Sequence, residues 1–309
     1  MSVSLTTTYA GEFSGKYIAA ALLSADTLDK GLITVMPNVK FKSVIQKAST
    51  DDIVKDATCD FQTDAGTLTL EEAILQPEEF QVNLDICKKT LHSSWEAEQM
   101  GYSAFDSLAP SFADFVLAHV AAKVADRTEK NIWGGSTATS GQFNGFTTLL
   151  DADGDFGNGV TGAAITAANV IAELGKTVDA IPTAVYGSED LYIYAASDVI
   201  RAYTRALGGF QSGGEGANGY ENKGNNQSLG SLFFDGIPVV PARGAADGTI
   251  IAAEKSNLFF GTGLLNDLNE VRVIDMAEND GSQNVRVVMR FTAGVQYAQV
   301  NDIVYRKTV

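Results

Sequence analysis

The sequence predicts an α+β fold, and three observations carry that prediction. Phe112, Phe115, Val116, His119, Val120 and Val124 fall at helical spacing and make one stripe on a long amphipathic helix. Phe80, Val82, Leu84 and Ile86 alternate with Gln81, Asn83, Asp85 and Cys87, the period of two that marks a half-buried strand. Towards the other end, Val285, Val287, Met289 and Phe291 alternate with Arg286, Val288 and Arg290 in the same way. A chain of 309 residues is long enough for one large or two modest domains. Its apolar share of 45% supports a sizeable core.

In chain order, a short helical candidate at Gly15–Leu23 precedes alternating apolar positions over Gly31–Phe41, and the two read together as an extended arm. Residues 51–79 carry nine carboxylates against the single base Lys55. Thr, Val and Phe are interleaved there, and Asp64-Ala65-Gly66 supplies a turn signal, so the segment reads as a long, solvated two-stranded excursion. The strand Phe80–Cys87 follows, and then the helix over Ser111–Trp133, which would span about 30 Å at about 1.5 Å per residue. Ser111 with Asp114 resembles a capping box at its start. Gly134-Gly135 marks its end, because glycine tolerates the left-handed conformation that closes helices. A helix of that length is expected to be a spine, with Phe112, Phe115, Val116, His119, Val120 and Val124 as its core stripe.

A second unit begins near Gln142. Ala167, Val170, Ile171, Leu174 and Val178 form another helical stripe, closed before Pro182. Thr183–Tyr186 reads as a short strand, and Ser188-Glu189-Asp190 as the cap of a helix carrying Leu191, Tyr194 and Ala195. From Gly208 to Gly230 the chain holds eight glycines and almost no apolar residue, which predicts a long loop. Ile237–Pro241, Thr249–Ala253, Leu258–Gly261 and Glu270–Ile274 are strand candidates before the terminal strand, and Gly294–Tyr305 adds further apolar positions. No internal repeat is visible.

The formal net charge of −16 argues against a nucleic-acid-binding module, which would show a basic face. It argues equally against docking to an anionic membrane. A protein of this charge that encloses nucleic acid does so as a non-adhesive wall. Cys59 and Cys87 are too few for a disulfide framework, so a reducing compartment is the default. A signal peptide at Ile18–Leu23 is rejected, because the apolar run is short and Glu12 lies where a positive region belongs. No run approaches the roughly 18 apolar residues of a spanning helix.

Residues that could carry chemistry are sparse. Gly214, Gly216 and Gly219 match G-x-G-x-x-G, but no strand feeds that loop and no helix receives it, so no cofactor is expected. Gly175-Lys176-Thr177 looks like the tail of a phosphate loop, yet it ends a helix and Val170 stands where the first glycine belongs. Asp151, Asp153 and Asp155 resemble the start of a calcium loop. Phe156 takes the place of its glycine and Gly162 that of its bidentate glutamate, which leaves a polar turn with a candidate surface cation site. His119 lies on the apolar stripe and reads as a core or interface residue, and His92 has no ligand set near it. No catalytic reading survives.

The order of elements resembles the major capsid protein of tailed double-stranded DNA bacteriophages. Four stretches carry the likeness: Tyr9–Glu12 through Ile18–Leu23; Phe112–Lys130 running into Asn131-Ile132-Trp133-Gly134-Gly135; Thr183–Tyr186, followed much later by Gly236–Val240; and Leu258–Gly263 before the terminal strands. The resemblance implies the tailed-phage major capsid fold, which encapsulins share. It divides the chain into an N-terminal arm (1–40), an extended E-loop (41–80), a P-domain with the spine helix (81–141), an axial A-domain (142–275) and C-terminal strands that return to the P-domain (276–309).

The resemblance also implies a non-enzymatic shell subunit that assembles with itself into pentamers and hexamers around double-stranded DNA, located in the virion and assembled in the host bacterial cytoplasm. A portal is a further expected partner. Some relatives begin with a long scaffolding segment, and the short stretch before the arm here points instead to a separate scaffolding protein. The acidic excursion is expected to pack on a neighbouring subunit, which makes Asp51, Asp52 and Asp56 candidate contacts. The 208–230 loop is expected near a symmetry axis, with Gly208, Gly213 and Gly219 as candidate contacts. Two other readings are an encapsulin-type compartment holding a cargo enzyme and, from a different class, an acidic calcium-dependent surface or adhesion protein.

Overall fold

The computed structural model describes residues 26–50, 54, 56, 59, 66–91, 110–154, 156–207, 232–263 and 272–308. Helix α1 (Asp26–Asp29) and strand β1 (Thr34–Met36) precede β2 (Ser43–Thr50) and β3 (Leu68–Leu75), an antiparallel pair that forms a sheet of its own. β4 (Glu78–Cys87), α2 (Lys88–Leu91) and the long helix α3 (Pro110–Gly134) follow. Next come α4 (Phe146–Ala152), β5 (Gly159–Gly162), α5 (Val170–Asp179), β6 (Leu191–Ala195) and α6 (Ser197–Ala206). The chain ends with β7 (Leu232–Phe234), β8 (Ile237–Pro241), β9 (Ile250–Glu254), β10 (Leu258–Gly261), β11 (Arg272–Asp275), α7 (Ala277–Asp280), β12 (Asn284–Tyr297) and β13 (Val304–Thr308).

Two larger sheets organise these elements. One has five strands in the order β1–β10–β12–β11, with β4 also paired to β12. The other has six, in the order β5–β13–β9–β6–β8–β7. β12 connects the first sheet because its 14 residues outrun any one partner: Asn284 to Ala293 face β4, and Gly294 to Tyr297 face β10. Period two divides the six-stranded sheet between two cores. Tyr194, Ile251 and Ala253 point to a cluster that also holds Trp133, Phe146, Phe260 and Val295. Ile193, Ile250 and Ala252 point the other way, to α5 and α6 through Leu174, Val178, Val199 and Tyr203.

Several sequence expectations change here. Thr183–Tyr186 is a turn held by the N–H groups of Val185 and Tyr186 on the Pro182 carbonyl, and no strand forms there. Leu191, Tyr194 and Ala195 lie on β6 and not on a helix, which starts only at Ser197. The reason is burial of β6 on both faces, which removes the alternation that would have declared a strand. Sheet membership also cuts across the boundary expected at 275/276. β10 and β11 belong with β4 and β12, whereas β13 does not return to that sheet and pairs instead with β9 and β5.

The long helix is present as read, but its anchor lies elsewhere. Val116, Val120 and Val124 pack on Val82, Leu84, Ile86 and Val287 of β4 and β12. His119 is exposed and does not belong to that core. The stripe narrows to the line of every fourth residue, and His119 sits about 100° around the helix from Val120. The side chains of Phe112 and Phe115 lie outside the described residues. The deepest side chains of α3 are Glu129, Ile132 and Trp133, each 0% exposed, in its C-terminal half. Gly135 is not left-handed; it is required because a Cβ would run into the Phe143 carbonyl oxygen and the Asn131 backbone.

Candidate assembly surfaces

Among the described residues, the β2–β3 pair is the part least accounted for by the core. Its register sets Val44 opposite Ile74, Gln46 opposite Glu72, Ala48 opposite Leu70 and Thr50 opposite Leu68. Alternation puts these eight side chains on one face, and all eight are exposed. Leu70 is 72% exposed, Leu68 64%, Val44 49% and Ile74 48%. Phe41 at the base of β2 is 73% exposed. The opposite face roots the hairpin: Leu75 is fully buried against Gly261, where a Cβ would collide with it, and Ala73 is buried beside it. Lys47 pairs with Glu71 across this second face at 3.7 Å.

A two-stranded sheet is marginal by itself in water, and exposed aliphatic residues grouped on one face, here Val44, Leu68, Leu70 and Ile74 on either side of the Gln46–Glu72 pair, mark a candidate interaction site. The sequence reading put the contact on acidic residues. Asp51 and Asp52 lie outside the described residues, and Asp56 is exposed. The apolar face was missed, although Leu68, Leu70 and Ile74 at even spacing were the signal that could have found it. Gly208, Gly213 and Gly219 also lie outside the described residues.

Two of the three residues of the candidate cation site have partners of their own. Asp151 is engaged by the Lys307 ammonium at 2.6 Å, and Asp153 accepts the Tyr297 hydroxyl at 2.6 Å. Burial, and then that hydrogen bond, push the Tyr297 phenol up. Asp155 lies outside the described residues, and among the described residues no three His, Cys, Asp or Glu side chains converge. Asp151 and Asp153 therefore tie β13 and β12 to the end of α4.

The remaining buried charges act as internal fasteners. Arg306 on β13, 0% exposed, meets Glu173 of α5 through Nε at 3.2 Å and through Nη2 at 2.9 Å, and also donates to the carbonyls of Ala163 and Gly248. Lys176 donates to the same carboxylate at 2.8 Å. The Lys176 hydrogen bond, with help from Arg306, holds the Glu173 carboxyl below its ordinary value despite burial. Glu129 on α3 accepts from the Thr27 hydroxyl at 2.6 Å, the Thr27 N–H at 3.2 Å and the Trp133 indole at 3.3 Å. Lys88 is almost fully buried and pairs with Asp275 at 2.5 Å, clamping the end of β4 to the end of β11. Burial alone would raise the Asp275 carboxyl, but Lys88 and the Ala277 N–H outweigh it and hold the group low.

A polar cleft of about 370 Å³ opens between the hairpin root and the loop after α3, lined by Glu78, Glu79, Gln81, Thr139, Ser140 and Gln142. No helix among the described residues is long and apolar enough to cross a membrane.

No family model and no curated protein matches the chain. Solved structures do. A chain from Gordonia phage Cozz is 13% identical, with a TM-score of 0.60 over 97% of this chain and 91% of that one. The capsid of the native GTA particle is 16% identical, with a TM-score of 0.60 over 97% and 95%. The capsid of cyanophage P-SCSP1u is 12% identical, with a TM-score of 0.56 over 97% and 93%. At such low identity it is the path of the backbone that is shared, and over nearly its whole length this chain has the tailed-phage major capsid fold.

Proposed function

We propose that the chain is the structural subunit of an icosahedral capsid, assembling with itself into pentamers and hexamers that close around a double-stranded DNA phage genome. The observation that carries this reading is the capsid fold over nearly the whole chain, joined to a hairpin whose aliphatic face is left uncovered by the described residues of its own subunit. In this reading β2–β3 is the E-loop that reaches a neighbour. The five-stranded sheet and α3 form the P-domain, and the six-stranded sheet with α5 and α6 forms the A-domain towards the capsomer axis. Each contact can be weak, because every subunit makes many at once. The role is structural and not enzymatic, and a net charge of −16 suits a wall that does not adhere to the genome it holds. A separate scaffolding protein and a portal complete the assembly, which takes place in the host bacterial cytoplasm and ends in the virion.

Negative-stain electron microscopy and sedimentation of the purified protein test the reading. Closed shells or rings of capsomer size are expected, and a protein that stays monomeric at high concentration would overturn it. The segment 208–230, between α6 and β7, is assigned to the axis, where one sequence must fit rings of five and of six. Deleting Ser212–Asn222 is expected to give aberrant shells or none from a subunit with unchanged circular dichroism. Wild-type yields of normal particles would remove the segment from that role.

A further inference from the structure

From Val116 to Gly134, α3 sorts its charges by sign. Lys123, Arg127 and Lys130 are exposed, whereas the two carboxylates of that stretch, Asp126 and Glu129, are buried. The whole chain holds 38 acids against 22 bases, so an exposed helix surface that carries bases alone runs against its composition. The contacts keep the bases outward. Asp126, whose side chain is 6% exposed, is shared by Lys130 at 2.9 Å and Lys123 at 3.7 Å. Glu129 is turned inward to Thr27 and Trp133. No carboxylate among the described residues lies within salt-bridge distance of Arg127.

Helical spacing places Lys123, Arg127 and Lys130 within an arc of about 60° and along about 10 Å of the axis. His119, exposed one turn earlier, continues the line. Beyond the stripe, Lys30 and Arg243 share Asp26 at 3.6 and 2.9 Å. Asp29 and Asp247 are exposed acids on those same segments, so the positive excess is concentrated on α3. A row of cations suits a polymer of closely repeated anions. Duplex DNA presents one phosphate charge per about 1.7 Å of its axis, so about 10 Å of it offers roughly six phosphates to three bases. An extended acidic peptide offers about half that density, at most one carboxylate per about 3.3 Å.

We infer that this side of α3 lines the inside of the shell and meets the phosphate backbone of the enclosed duplex DNA through Lys123, Arg127 and Lys130. The inference rests on the shell reading and gives the wall an orientation and a point of contact. Phosphate contacts of this kind carry no sequence preference. Three per subunit make a weak hold that salt loosens, so a chain of net charge −16 touches its genome without fixing it in place.

Two measurements test it. Arg127→Cys in a Cys59→Ser, Cys87→Ser background is treated with a polyethylene-glycol maleimide too large to enter closed shells. Intact shells should stay unlabelled, and the same shells should label fully once dissociated. Labelling of intact shells overturns the inward placement and leaves the shell reading standing. Dissociated subunits are then titrated with a fluorescent DNA duplex. A fourfold rise in NaCl should weaken binding about 40-fold, the effect of three phosphate contacts. Lys123→Gln, Arg127→Gln and Lys130→Gln combined should abolish binding with circular dichroism unchanged. Arg127→Gln alone, which breaks no ion pair among the described residues, should reduce the salt effect to about 12-fold. No binding by the unaltered subunit, unaltered binding by both variants, or polyglutamate bound as tightly as the duplex at equal salt overturns the DNA contact. Absence of any particle or ring from the unaltered protein overturns the shell reading and the inference with it.

Discussion

Replacing Arg306 by alanine is expected to destabilise the subunit by about 3–5 kcal/mol, because it breaks a buried ion pair and leaves the Glu173 carboxylate with Lys176 as its one charged partner. The side chain is 0% exposed and donates to Glu173 and to the carbonyls of Ala163 and Gly248. The Gly248 carbonyl and the Glu173 carboxylate are buried, so each loses a donor when the guanidinium is removed. The backbone has been shaped around it as well: a Cβ on Gly162 would strike both the Glu173 carboxylate and the Arg306 guanidinium. Removing both charges together, as Arg306→Met with Glu173→Leu, should cost much less than the single change, since no orphaned charge remains. Equilibrium urea unfolding followed by circular dichroism measures both. A loss below about 1 kcal/mol for Arg306→Ala would mean that the pair is not buried as described.

The same pair sets part of the pH response. The Glu173 carboxyl is held below its ordinary value of 4.5, first by Lys176 and then by Arg306, against the opposing effect of burial. Its folded value is the lower one, so the stabilisation is fully present above pH 4.5 and is lost as pH falls through the folded value. The double variant should therefore show a shallower acid limb in its stability profile than the unaltered protein.

How much of this could be read from the chain depended on whether a segment had one wet face. β4, β12 and the long helix α3 each bury one side and expose the other, and alternation or helical spacing exposed them directly. β6 is buried on both sides and gave no such contrast, so Leu191, Tyr194 and Ala195 passed for a helix. The anchor of α3 was hidden by polarity. Glu129 looks like a residue of the solvent face, and only the long-range partner Thr27, 102 positions away, makes its burial tolerable. β13 pairs with β9 and β5, a long-range pairing that no local pattern announces. At the candidate surface, nine carboxylates in 51–79 drew attention to charge, while the even-numbered aliphatic residues of β3 held the informative pattern.

Trp133 marks the point where α1, α3 and both larger sheets meet, and Trp133→Ala is expected to cost about 3–5 kcal/mol through lost transfer energy and the cavity left behind. Its ring lies 5.1 Å from that of Tyr194 and 5.7 Å from that of Phe146. Its indole N–H donates to the Thr27 hydroxyl at 3.0 Å and to Glu129. Trp133→Phe separates packing from hydrogen bonding, since it keeps most of the apolar volume and removes the donor, and should cost about 1–3 kcal/mol. The two variants should also differ from wild type in pH response. Burial raises the Glu129 carboxyl above its ordinary 4.5, with the Asp26 charge adding to it, while donors from Thr27 and Trp133 pull the other way. A raised acid contributes stability that is fully present below pH 4.5 and lost as pH rises through the folded value. Without the indole donor that value rises further, so Trp133→Phe should carry a larger deficit at neutral pH than at pH 4. A deficit independent of pH between 4 and 8 would show that Glu129 does not depend on Trp133, and that the tie between α1 and the spine helix is made by Thr27 alone.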